Sequence, residues 1–321
     1  MKAILFDGLL KFTDIYPEPE PQENEALIRV NMAGICNTDI EIMKGYMGFK
    51  GVIGHEFVGM VEKINGYDQK LLGKKVVGDI NCSCGKCDFC IKGMKTHCPE
   101  RKTLGISNKD GAFAQYITLP VVNLYEVPEH VTDEEAVFTE PLAAAFEILE
   151  QVHVMPTDNV LIMGDGKLGM LCAFALRLTQ AGLTLAGRHD AKLSIASAHG
   201  IGTAHIDTLL LRSKCYDIVV EATGSPEGIE LALQLVKPRG KIVLKTTAAA
   251  GKKINLAPVV IDEIQVIGSR CGPFEPALRA VSAGLIDVKS LVTAVYRPEQ
   301  AEVAFEKARE STSLKVLIDF R

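Results

Sequence analysis

The chain has 321 residues, 47% of them hydrophobic and 23% charged, with a formal net charge of −5. That length predicts about two domains, the composition is that of an ordinary globular protein, and the mild acidity excludes nucleic acid and anionic membranes as expected partners. No stretch approaches the roughly 18 to 20 uninterrupted apolar residues of a membrane span, and the N-terminal MKAILFDGLL places Asp7 and Gly8 where a signal peptide needs an apolar run, so a first strand and a cytoplasmic location are expected.

From Met1 to about Val122 short apolar stretches (AILF, ALIRV, FVGMVEKI, KKVVGDI, FAQYITL) are cut by Gly, Pro and Asn. These lengths predict strands and turns, hence a β-rich domain. Inside it, Cys36 and His55 are the ligand types a transition metal wants, and a catalytic zinc keeps one position open. The pair therefore reads as half of a catalytic site with a third ligand still to be found; the bland alternative is a buried cysteine and a core histidine. Nine cysteines are many for a reducing compartment, and five lie between Cys82 and Cys98. Cys84, Cys87, Cys90 and Cys98 are spaced so that four thiolates can close around one tetrahedral ion, a structural zinc. An iron–sulfur cluster has similar spacing, and Cys82 is left over as a turn neighbour.

Asp133 to Gln151 shows helical periodicity, with Pro141 expected to interrupt it just after Glu140 and so to fix the direction of that carboxylate. Beyond it strand and helix alternate, which predicts a parallel doubly wound sheet of the α/β class. Gly164-Asp165-Gly166-Lys167-Leu168-Gly169 follows the strand ending at Met163 and opens a helix, the context that a dinucleotide-binding loop requires. The alternative is a glycine turn that binds nothing. At the end of the second strand, where an acid would bind the ribose of NAD, stand Gly187, Arg188 and His189. With no carboxylate to repel a 2′-phosphate and an arginine to pair with it, NADP is expected over NAD, unless Arg188 only stacks on adenine.

Taken together, GIC-N-TD, GHEF-x-G, the four-cysteine run, TEPLA, GDGKLG and EATGS resemble the motifs of the zinc-dependent medium-chain dehydrogenase/reductases, the family of alcohol, sorbitol and threonine dehydrogenases. The resemblance runs end to end. It implies a GroES-like β-rich catalytic domain over residues 1–140, a Rossmann domain over 141–284, and a return segment, 285–321, that completes the catalytic domain, with the active cleft between the two. It implies Cys36 and His55 as catalytic zinc ligands and Glu140 as the third, with Glu56 able to exchange into the coordination sphere. Asp39 would orient the histidine and Thr38 would start the proton relay. Cofactor contacts would come from the glycine loop, from Gly187, Arg188, His189 and Lys192, and from Thr223 and Gly224. The chain departs from many relatives in carrying Glu41 where a relay histidine is usual.

The expected function is reversible oxidation of a small-molecule alcohol to a carbonyl compound by a homodimer or homotetramer holding two zinc ions per chain and NADP or NAD. The alternatives are a zinc-independent enoyl or quinone reductase of the same fold, which would lack these ligands, and a dinucleotide-binding protein without turnover.

Overall fold

The strand Glu25–Gly34 is buried along nearly its whole length and has a paired strand on each side. In the computed structural model, which describes residues 1–247 and 253–321, it pairs antiparallel with Glu56–Asn65 on one side. On the other it pairs with Tyr116–Pro120 near its start and with Lys315–Asp319 near its end. Lys75–Gly78 and Leu124–Glu126 extend the sheet at one edge and Val292–Tyr296 at the other. The chain divides into two compact units, Met1–Glu140 with Phe274–Arg321, and Pro141–Pro273.

The core of the first unit gathers Ile28, Val30, Phe57, Val61, Phe113, Phe305, Val316 and Ile318. Phe113 meets Phe305 edge to face at 5.7 Å between ring centres. Residues of the C-terminal helix Ala301–Arg309 and strand Lys315–Asp319 thus fill the core of the N-terminal region, each large apolar side chain contributing about 1.5–3 kcal/mol by its burial. The unit also takes in the helix Phe274–Ser282, whereas the sequence reading starts the return near Leu285. The reason is packing: Phe274 stacks on Tyr125 at 5.2 Å, and His130 bonds to Ser282.

In the second unit, among the described residues, six parallel strands lie in the order Gly202–His205, Gly182–Gly187, Asn159–Met163, Tyr216–Glu221, Val236–Leu244, Gln265–Gly268. Numbered along the chain, this is the order 3-2-1-4-5-6 of a dinucleotide-binding sheet. Its loops at the carboxyl ends of the central strands carry Gly164, Gly187 and Thr223.

One local expectation is corrected. Two helices, Asp133–Ala136 and Thr139–Gln151, replace the single interrupted one. Pro141 does not break the second helix. It sits in the first turn, where a missing N–H costs nothing.

Candidate functional site

Strand register assembles the first cluster. Gly34 stands opposite Glu56 on one neighbour and Leu317 on the other, so the chain segments bearing Cys36, His55, Glu56 and Lys315 converge at one end of the sheet. Cys36 caps the short helix Asn37–Met43, its N–H donating to Asp39 Oδ2 at 2.8 Å. That bond anchors the buried Asp39, whose other oxygen lies 3.2 Å from His55 Nδ1. These two facing atoms are buried and not aligned for a hydrogen bond. Burial opposes a charged ring, yet Asp39 and Cys36 draw the His55 pKa well above the ordinary histidine value. The surroundings favour positive charge at that point.

One donor atom each from Cys36, His55 and Glu56 lies within 4.8 Å of the others. Thiolate, imidazole and carboxylate form the mixed donor set of a catalytic zinc, so the residues fit the ion. Glu140, at the start of its helix, falls outside this triple. It is close enough to feel it: burial, reinforced by the Glu56 charge and opposed by His55 and Lys315, pushes its carboxyl up to about 7. Thr38 Oγ1 lies 3.7 Å from Cys36 Sγ. Glu41 accepts from Lys44 Nζ at 2.9 Å on a partly exposed surface.

Sequence reasoning missed Lys315. Its ammonium donates to Glu56, each residue being 1% exposed, and it lies 5.5 Å from the centre of the Phe138 ring. Gly34 makes the pair possible, since a β-carbon there would collide with the Glu56 carboxylate. The one signal in the sequence is a lysine at the head of the otherwise apolar run KVLI.

The second cluster is local. Cys84, Cys87, Cys90 and Cys98 bring their sulfurs within 4.8 Å of one another, with Cys87 and Cys90 at 3.4 Å and Cys84 and Cys90 at 4.0 Å. Gly85 turns the chain between the first two ligands at a φ of 72°. Four thiols and no other donor suit a closed tetrahedral metal site. Cys82 stands outside the four, and burial pushes its thiol up to about 11.

In the second unit Gly166 caps the helix Lys167–Arg177, with Lys167 and Leu168 opening it. Around Gly166 the space for a β-carbon is open, while one at Gly169 would strike the Gly164 carbonyl. The backbone there can approach a pyrophosphate, and the helix can pack close behind it. Asp165 does what the sequence reading did not foresee. Its Oδ2 accepts from the N–H groups of Arg188 and His189, both at 2.8 Å, so a carboxylate does stand at the end of the second strand. Arg188 is exposed and Lys192 buried. Thr223 donates its hydroxyl to Glu221 at 2.5 Å, and Gly224 N–H donates to Thr246 at 2.9 Å.

Comparison with known proteins identifies the family of the chain. Residues 22–129 match the alcohol dehydrogenase GroES-like domain, and residues 134–320 match the glucose dehydrogenase C-terminus. The chain is 27% identical to a sorbitol dehydrogenase of Halalkalibacterium halodurans over 94% of its own length and 93% of that protein's. It is also 27% identical to D-arabinitol dehydrogenase 1 of Uromyces fabae, over 99% and 97%. Among solved structures, a short chain alcohol dehydrogenase from Escherichia coli CFT073 complexed with NADH superposes with a TM-score of 0.92 at 26% identity, covering 100% of this chain and 99% of that one. A Sinorhizobium meliloti 1021 protein described as a zinc-binding dehydrogenase and bound to NADP reaches 0.90 at 26%, covering 99% of each. Among the described residues no helix is long and apolar enough to cross a membrane.

Proposed function

The chain belongs to the zinc-dependent medium-chain dehydrogenase/reductases, oxidoreductases acting on CH–OH groups, and from that premise we propose that it is a zinc-requiring polyol dehydrogenase using a nicotinamide dinucleotide. The observation that carries the reading is the grouping of one thiol, one imidazole and one carboxylate, from Cys36, His55 and Glu56, within 4.8 Å. Cys36 and His55 would hold the ion with a carboxylate, Glu56 being the one in reach in this conformation and Glu140 the one that can replace it. A zinc ion held there supplies Lewis-acid polarisation of a substrate oxygen. The four thiols of Cys84, Cys87, Cys90 and Cys98 would hold a second zinc with a structural role. The sorbitol and arabinitol dehydrogenases among the relatives support a polyol as substrate.

The protein's own groups have distinct tasks. Asp39 fixes the His55 ring and the Cys36 backbone together. Thr38, beside the Cys36 sulfur, accepts the substrate hydroxyl proton and passes it on. Lys315 balances the charge of Glu56, so the site can carry two carboxylates without paying repulsion at each exchange. The glycine-rich loop and the helix behind it bind the cofactor's phosphates.

The test is a panel of pentitols and hexitols assayed at 340 nm with NAD⁺ and NADP⁺ in parallel, on zinc-replete protein with its metal content measured. Two zinc ions per chain and turnover of at least one polyol are expected. Zinc bound at both sites with no alcohol or carbonyl turned over would overturn the reading.

A further inference from the structure

The end of the second strand is the point at which such sheets distinguish the two nicotinamide cofactors, because the adenosine ribose lies over it. An acid there accepts from a ribose 2′-hydroxyl; its absence, with an arginine beside it, favours a 2′-phosphate. Gly187 has no side chain to offer. The structure shows why: a β-carbon on Gly187 would collide with Asp165 Oδ2, Cβ and Cγ at once. The space that an acid at position 187 would occupy is already filled by a carboxylate, brought across from the glycine-rich loop.

That placement is held from several directions. The Gly164 N–H donates to the Ala186 carbonyl at 2.8 Å and ties the loop to the strand end. Asp165, 7% exposed, takes the N–H groups of Arg188 and His189 on Oδ2, with His189 Nδ1 at 3.0 Å from Oδ2 and 3.2 Å from Oδ1. Burial works against its charged form, but the His189 and Arg188 N–H groups and the His189 ring outweigh it and hold the carboxyl below its ordinary range. It is an anion at neutral pH. Oδ2 is saturated by backbone donors, whereas Oδ1 faces only the His189 ring and keeps acceptor capacity. Nearby, Lys192 is 6% exposed, its ammonium makes no hydrogen bond or ion pair among the described residues, and the Asp165 charge acts on it. The strand end thus carries a fixed carboxylate with a buried ammonium beside it.

We infer that Asp165 selects NAD(H) over NADP(H), taking from the glycine-rich loop the part that an acid at the strand end would otherwise play. The inference rests on the dinucleotide reading above and reverses the preference expected from Gly187 and Arg188 alone. A 2′-phosphate would enter beside a fixed negative charge that cannot withdraw without releasing two backbone N–H groups. Exposed Arg188 offsets part of that repulsion but does not remove it.

The chain contains no tryptophan, so bound NADH and NADPH can be followed by nicotinamide fluorescence, with 5′-AMP and adenosine 2′,5′-bisphosphate as competing probes. Wild-type protein is expected to bind NADH at least about tenfold more tightly than NADPH, the scale of a built-in like-charge penalty. Asp165→Asn keeps an acceptor oxygen for the turn and removes the charge, so it should narrow that ratio about tenfold or more, chiefly by strengthening NADPH. Wild-type protein that binds NADPH as well as NADH overturns the inference whether or not the variant folds. A preference for NADH that Asp165→Asn leaves unchanged, in a variant that melts as a folded protein, overturns the assignment to Asp165. If neither cofactor binds, the dinucleotide reading falls and takes the inference with it. If NADH binds but no polyol turns over, the substrate reading alone fails and the ratio still decides the role of Asp165.

Discussion

The four-thiol cluster and the Cys36–His55–Glu56 cluster differ in where their residues come from and in what surrounds them. The first is made within one short loop, by donors of a single kind, with no carboxylate in the group. The second needs a register shared by three strands, mixes three donor types, and includes a carboxylate already bonded to a buried lysine. Four equal soft ligands leave nothing for substrate, so such a site can only contribute stability. A mixed set with a partly engaged carboxylate can exchange a ligand, as turnover demands. The largest expected effect breaks the pair apart. Cys36→Ser should lower kcat/KM by about a thousandfold or more, remove one zinc of two by metal analysis, and leave the melting temperature close to that of the wild type.

The next change probes the cation that only the second cluster has. Removing Lys315 leaves Glu56 charged and buried with no partner, a situation that costs about 3–5 kcal/mol. Lys315→Met should therefore lower stability by that order in denaturant titrations of metal-free protein, and Glu56→Gln in the same chain should restore most of it. Added zinc should shrink the loss, because a cation at the Cys36 and His55 donors neutralises the same carboxylate. An equal loss with and without zinc would separate Glu56 from the metal site. A smaller effect is expected from the thiol cluster. Cys90→Ser should lose one zinc and about 5 °C in Tm, the scale of a few kcal/mol for a chain of this length, while the activity of the folded fraction stays near that of the wild type.

The contrast also explains which features could be read along the chain. Cysteine spacing and the strand-glycine-helix context of GDGKLG are local, and locality is what a sequence pattern can hold. The Cys36 and His55 pair was visible as chemistry but incomplete as a site, because strand register brings its neighbours together. Lys315 lies 259 positions from Glu56, and no spacing rule connects them; only the pairing of Leu317 and of Glu56 with Gly34 does. Asp165 and Gly187 are a milder case. Along the chain Asp165 reads as part of the glycine loop and Gly187 as a missing acid. A glycine where an acid is expected, with an aspartate inside the glycine loop, is a combined signal that has meaning once the two strand ends are known to touch.

The smallest predicted effect concerns Glu41, the residue that the family resemblance sets where a relay histidine would be expected. Its carboxylate accepts from Lys44, the residue just past the end of the helix Asn37–Met43, and both side chains are substantially exposed. An exposed pair of this kind contributes roughly 0–1 kcal/mol, and a carboxylate held toward solvent by a lysine is not aimed at the Cys36 sulfur. Thr38, by contrast, is within 3.7 Å of that sulfur. Glu41→Gln should therefore change kcat by less than about threefold, whereas Thr38→Val should cost about a hundredfold, the scale of a lost general acid–base group. Kinetics of the two variants on the same substrate separate the roles. A loss in Glu41→Gln comparable to that in Thr38→Val would mean that the proton leaves through this helix face after all, and that the Lys44 pair opens during turnover.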